Sequence, residues 1–261
     1  MRRLKLLFMF ACVYFGSTST VFAAQLDGYF EASRQFDAWI EKTGAMPRLS
    51  DERAATFLAT LSDSQRFLDG NTFDEAQLPA LLDLCDKANR KGIVYLMFDL
   101  DKEFDESMPL EAAQQVIIKR MLQNAHTYQN ELAELQPFAT RCMGRLVSSI
   151  SPLFDRMKPE EITSVRRAGL DKMRKGMDSA VLGTLVSASD LSLKDRYRTN
   201  TLMAVAETAP QFVSAMNPDE REKLLSAAKE AISTAPENLK GYIEKIADAL
   251  AEPSCEGLCR Y

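Results

Sequence analysis

From Leu26 onward the apolar positions of the chain recur at helical spacing. Leu110, Ala113, Ile117, Met121, Ala125, Tyr128, Leu132 and Leu135 advance by three or four residues at every step, which predicts one long amphipathic helix. Leu224, Leu225, Ala228, Ala231 and Ile232 form a second stripe, and Leu239, Tyr242, Ile243, Ile246 and Leu250 a third. The short link Thr234-Ala235-Pro236 predicts that these two pack as an antiparallel hairpin. Pro109, Pro159, Pro218 and Pro236 suit first helical positions, with acids following in the first turn. Thr72 with Glu75 and Ser192 with Asp195 have capping-box spacing. The predicted helices cover 26–42, 50–68, 73–91, 93–105, 109–135, 138–151, 159–188, 192–209, 218–233 and 237–251.

Ile93–Phe98 is the one strand-like run. No second strand is available to pair with it, so it predicts a buried helix that follows a helix end at Gly92. Met157-Lys158-Pro159-Glu160-Glu161 and Met216-Asn217-Pro218-Asp219-Glu220 resemble each other, but two helix starts produce the same likeness and no third copy makes a solenoid. The expected fold is all-α: a multi-helix bundle or irregular helical array of about nine to ten helices, stapled by disulfides. Residues 24–261 are expected to form one helical domain, with a sub-boundary near 152–158 as the place where it would divide.

The first two dozen residues change the picture. Arg2, Arg3 and Lys5 precede the uncharged apolar run Leu6–Phe15, and Gly16–Thr20 is small and polar. Val21-Phe22-Ala23 then sets up a cut before Ala24. This is the pattern of a secretory signal peptide over residues 1–23. The run is half the length of about 20 residues that a membrane span takes. Lipid attachment at Cys12 would follow Met9-Phe10-Ala11, a poor match to the usual pattern. The expectation is a periplasmic or secreted protein with no transmembrane segment after cleavage.

Export gives the cysteines a meaning. Cys85, Cys142, Cys255 and Cys259 remain, an even number in an oxidising compartment, and predict two disulfides. The favoured pairing is Cys85–Cys142 with Cys255–Cys259, and the alternative ties the tail to Cys85 or Cys142. Zinc is disfavoured by the lack of paired C-x-x-C knuckles, and a redox pair by the three-residue spacing of the last two.

Composition narrows the chemistry. The whole chain carries −5, and −8 once Arg2, Arg3 and Lys5 are removed, which with the single Trp39 argues against nucleic acid as a partner. One histidine, His126, leaves little room for imidazole chemistry, and no G-x-S-x-G elbow supplies it a nucleophile. There is no phosphate-binding glycine loop, and no cofactor or metal is implied. Asp99–Glu106 is acid-rich, but an EF-hand register from Asp99 puts Phe104 where glycine is needed and Leu110 where glutamate is needed. A solvated helix end is the simpler account.

Gly169, Gly176 and Gly183 recur every seven residues on one helix face. Close packing of a neighbouring helix is the first expectation for them, breakage of the helix the second and a self-association seam the third. Charge is uneven: residues 156–198 carry 10 basic and 6 acidic side chains, while residues 25–155 carry 13 and 21. The basic set Arg166, Arg167, Lys172, Arg174, Lys175, Lys194, Arg196 and Arg198 is the candidate interaction patch, for an unknown protein partner or a second copy. The expected role is therefore an exported protein-interaction or envelope-associated module, with no catalytic residue nominated. A carboxylate-dependent hydrolase and a small-ligand-binding helical protein are the alternatives.

Overall fold

The computed structural model describes residues 19–69, 73–105, 107–252 and 257–261. Ten α-helices and three short 3-10 turns account for the described regular structure, and no strand is found among the described residues. The helices are α1 (Ser19–Thr43), α2 (Glu52–Leu61), α3 (Ser64–Phe67), α4 (Leu78–Leu96), α5 (Leu110–Thr127), α6 (Gln129–Arg156), α7 (Ser164–Ser189), α8 (Asp195–Ala215), α9 (Pro218–Thr234) and α10 (Glu237–Ala251). The expected all-α architecture and the Cys85–Cys142 staple are both present, the staple joining α4 to α6 at a Cα separation of 5.4 Å. Cys259 is also disulfide-bonded. Cys255, its expected partner, lies outside the described residues, as do most of the expected leader and Thr72.

Two hydrophobic clusters fill the interior. The first gathers α1–α4 around the first half of α6. There Tyr29 stacks on Phe138 with ring centroids 5.4 Å apart and meets the edge of Phe67 at 5.6 Å. The second gathers α7–α10. Helices α6 and α8 belong to both: Leu146 and Tyr197 lie in the first cluster, Val147 and Leu202 in the second. At their crossing a Cβ on Gly144 would come within 2.8 Å of Thr208 Cγ2, so only glycine lets the two backbones approach this closely.

Local signals set several starts. Asp51 accepts from the Arg53 and Ala54 amides at the head of α2. Asn217 and Glu220 form a full capping box at α9, with Pro218 at the first helical position as expected. Elsewhere the prolines and caps depart from expectation. Pro109 and Pro236 precede α5 and α10 as N-caps, and Pro159 lies in a 3-10 turn. Helix α8 starts at Asp195 with Lys194 as its cap, and Ser192 binds Asp190 instead.

Helix ends show larger departures, each with a tertiary cause. The predicted 109–135 helix breaks at Tyr128, whose ring lies under the Arg48 guanidinium at 4.1 Å while the same guanidinium donates to the Thr127 carbonyl at 2.6 Å. Helix α6 then runs through Pro137 rather than ending before it. The Ala133 carbonyl, which loses its helical donor to the proline, accepts from the Asn200 side chain at 3.1 Å. Gly92 does not end a helix; it is buried inside α4, which continues to Leu96. There buried Asn124 donates to the Leu96 and Phe98 carbonyls at 3.0 and 2.9 Å. The predicted 93–105 helix is absent. Ile93 and Val94 are exposed on α4, and the acidic stretch beyond is a 3-10 turn entered through Asp99 at φ 61°.

Candidate functional site

The eight cations of the expected patch fall into three groups. Arg174 and Arg198 are buried and leave the patch. Arg174 donates through Nε to the Ala215 carbonyl at 2.7 Å and through a terminal nitrogen to the Leu258 carbonyl at 2.8 Å, closing the end of α8 and holding the C-terminal tail. Arg198 donates to the Ala188 carbonyl at the end of α7 and pairs with Asp195. Unpaired carbonyls and the negative end of the helix dipole attract a guanidinium to these places. Lys194 and Arg196 form the second group and bridge α8 to α6 through Asn130 and Glu134, at 3.0 and 2.6 Å.

The third group remains on the outside of α7. Arg166 donates to the Glu161 carbonyl, whereas Arg167, Lys172 and Lys175 are exposed and have no partner among the described residues. Helix α7 buries Leu170, Arg174, Met177, Val181, Leu185 and Ala188 against α8 and α9, which turns the opposite side to solvent. At 100° per residue that side carries Val165, Gly169, Lys172, Gly176, Ser179, Gly183 and Val186. The expected close packing at the glycines is not found: a Cβ at Gly169, Gly176 or Gly183 would meet nothing within 4 Å. Breakage is not found either, since α7 is continuous from Ser164 to Ser189. Both α7 acids face other partners, Asp171 pairing with Arg174 and Asp178 with Lys223 of α9. The open side of α7 is therefore backbone-accessible, cationic and free of internal counter-charge.

The structure brings a serine and an aspartate to His126, which the sequence did not connect. Nε2 of the imidazole lies 3.3 Å from Ser192 Oγ and 3.8 Å from Asp190 Oδ2, and Ser192 Oγ donates to Asp190 Oδ1. A hydrolytic triad needs the aspartate on Nδ1 and the serine on Nε2, so that the imidazole is oriented by one and takes a proton from the other. Here both approach the same nitrogen, and the hydroxyl proton is directed at the carboxylate. The cluster works as a clasp between the end of α5 and the α7–α8 loop. The Ser192 hydrogen bond holds the Asp190 carboxyl below the usual carboxylate range.

The remaining acids do not converge. Glu131 is the one buried carboxylate among the described residues; it accepts the Leu49 amide at 2.9 Å and Arg48 at 3.5 Å, fixing the α1–α2 loop. In the acidic stretch Asp99 pairs with Lys102, Glu103 with Arg120, and Asp105 with the Ser107 amide and hydroxyl. No group of three potential metal ligands occurs among the described residues. No described helix is long and apolar enough to cross a membrane. No family model, curated protein or solved structure matches the chain.

Proposed function

We propose that the protein is an exported helical interaction module whose docking surface is the outer side of α7, and that its partner is an acidic protein helix. The observation that carries this reading is the conjunction on one helix side of three glycines with open space above them and of Lys172 without a counter-ion, with Lys175, also unpaired among the described residues, at its edge. Glycine in a helix interior costs about 1 kcal/mol relative to alanine. Close approach of a second backbone offsets that cost, and the lysines select an acidic one. An anionic membrane is the poorer occupant. The side offers Val165 and Val186 but no aromatic or long aliphatic anchor between them, and the net charge of −8 that remains after the proposed cut repels such a surface.

The test replaces Arg167, Lys172 and Lys175 by glutamate, all three being exposed. A photo-crosslinker at Ser179 should capture an acidic envelope protein with the native chain and lose it with the charge-reversed one, at unchanged melting temperature. Equal capture by both chains, or binding only to phosphatidylglycerol vesicles, overturns the reading. Export has its own check: the N-terminus of protein from the envelope fraction should read Ala24. Recovery of full-length chain from cytosol with reduced thiols would contradict it.

A further inference from the structure

A cleft of about 500 Å³ opens between α3, α6 and α8, at the middle of the long α6 helix. Its floor is the Gly144–Thr208 crossing, where the missing side chain of Gly144 lets α6 and α8 approach closely. Its walls are polar and carry both signs of charge. Arg141 is neutralised by Glu207 at 2.8 Å. Arg145 and Asp69 line the same cleft, yet they pair neither with each other nor with any other described residue. Two further lining residues, Gln211 and Ser64, carry side-chain oxygens that are buried without a hydrogen-bond partner among the described residues.

We infer that this cleft binds a short peptide with free termini, its carboxylate on Arg145 and its ammonium on Asp69. Opposite charges that face one cleft and leave each other alone are matched by a ligand that carries both. A simple anion would be repelled by Asp69 and a simple cation by Arg145, the Arg141–Glu207 pair being neutral. Gln211 and Ser64 line the cleft, and a turn of either side chain toward it would give its unpaired oxygen a peptide partner. The volume is in the range of small-ligand sites. A neighbouring cleft of about 460 Å³ continues past Arg145 and Ser148 toward Arg156, so a chain of more than one residue is accommodated. This inference is independent of the α7 surface, which lies on another helix.

Amide chemical shifts of the ¹⁵N-labelled protein provide the test, with glycylglycine as the probe carrying both charges. Saturable shifts are expected at Ser64, Gly144 and Gln211. Acetyl-glycylglycine, which lacks the ammonium, and glycylglycine amide, which lacks the carboxylate, should each bind about tenfold more weakly. Arg145→Gln and Asp69→Asn should each cost about tenfold in affinity for glycylglycine, both being exposed side chains whose loss leaves the core intact. Lys229→Gln, an exposed change on α9, should bind like the native chain. Absence of saturable shifts up to about 10 mM, ten times a weak dissociation constant of 1 mM, overturns the inference. So does equal binding of the acetylated peptide, or native affinity in both cleft variants.

Discussion

Arg174 shows how one residue can change meaning between sequence and structure. In the sequence it is one of eight cations in a basic stretch; in the fold it lies buried and satisfies carbonyls from two separate segments. Replacing it by methionine should keep the packing volume and strand both carbonyls, lowering stability by about 3 kcal/mol in urea denaturation. Lys175→Met, one position along and exposed, should stay within about 0.5 kcal/mol. At the clasp, Ser192→Ala should raise the Asp190 carboxyl toward its ordinary range, as read by carboxyl-carbon chemical shift against pH. The sign follows from the lowered folded value. Asp190 contributes stability above the ordinary carboxylate range, and that contribution disappears as pH falls through the lowered folded value. The serine variant should therefore flatten the acid limb of the stability profile.

At the scale of elements, spacing carried the helices and tertiary contacts carried their ends. The α9 and α10 stripes appear where the apolar period puts them, because Leu224, Ala228, Leu239, Ile243 and Ile246 all turn inward. The break at Tyr128 and the passage of α6 through Pro137 depend on Arg48 and Asn200, which are 79 and 67 residues from the carbonyls they serve. A local pattern holds no information about such partners. The candidate surfaces divide in the same way. The heptad of glycines on α7 was legible, but the burial of Arg174 and Arg198 beside it was not. The cleft had a trace in the α6 stripe Arg141, Arg145, Ser148, Pro152 and Arg156, although its other wall comes from α3 and α8. The glycines permit a prediction that separates packing from docking. Changing Gly169, Gly176 and Gly183 together to alanine should raise stability by about 1 kcal/mol per site, since each new methyl meets open space. The same change should weaken capture of the α7 partner by keeping its backbone away. A loss of stability would mean that the side is already packed.

The whole molecule is held together through α6. Cys85–Cys142 ties it to α4 across 57 residues of chain, which corresponds to about 4 kcal/mol of loop-closure entropy removed from the unfolded ensemble. Changing both cysteines to alanine should lower the unfolding free energy obtained from urea denaturation by about that amount. Both sulfur-bearing residues are buried, so a reductant should act on the native protein only as fast as it opens. Helix α8 crosses α6 at Gly144 and shares both hydrophobic clusters with it. Beyond α6, Arg260 pairs with Asp155, and the Tyr261 hydroxyl donates to the Phe154 carbonyl. A protease that nicked the turn after Arg156 would cut the polypeptide without parting it. The two fragments should co-elute on size exclusion under native conditions and separate only in denaturant, each clasped by the other along a seam that the backbone crosses only once.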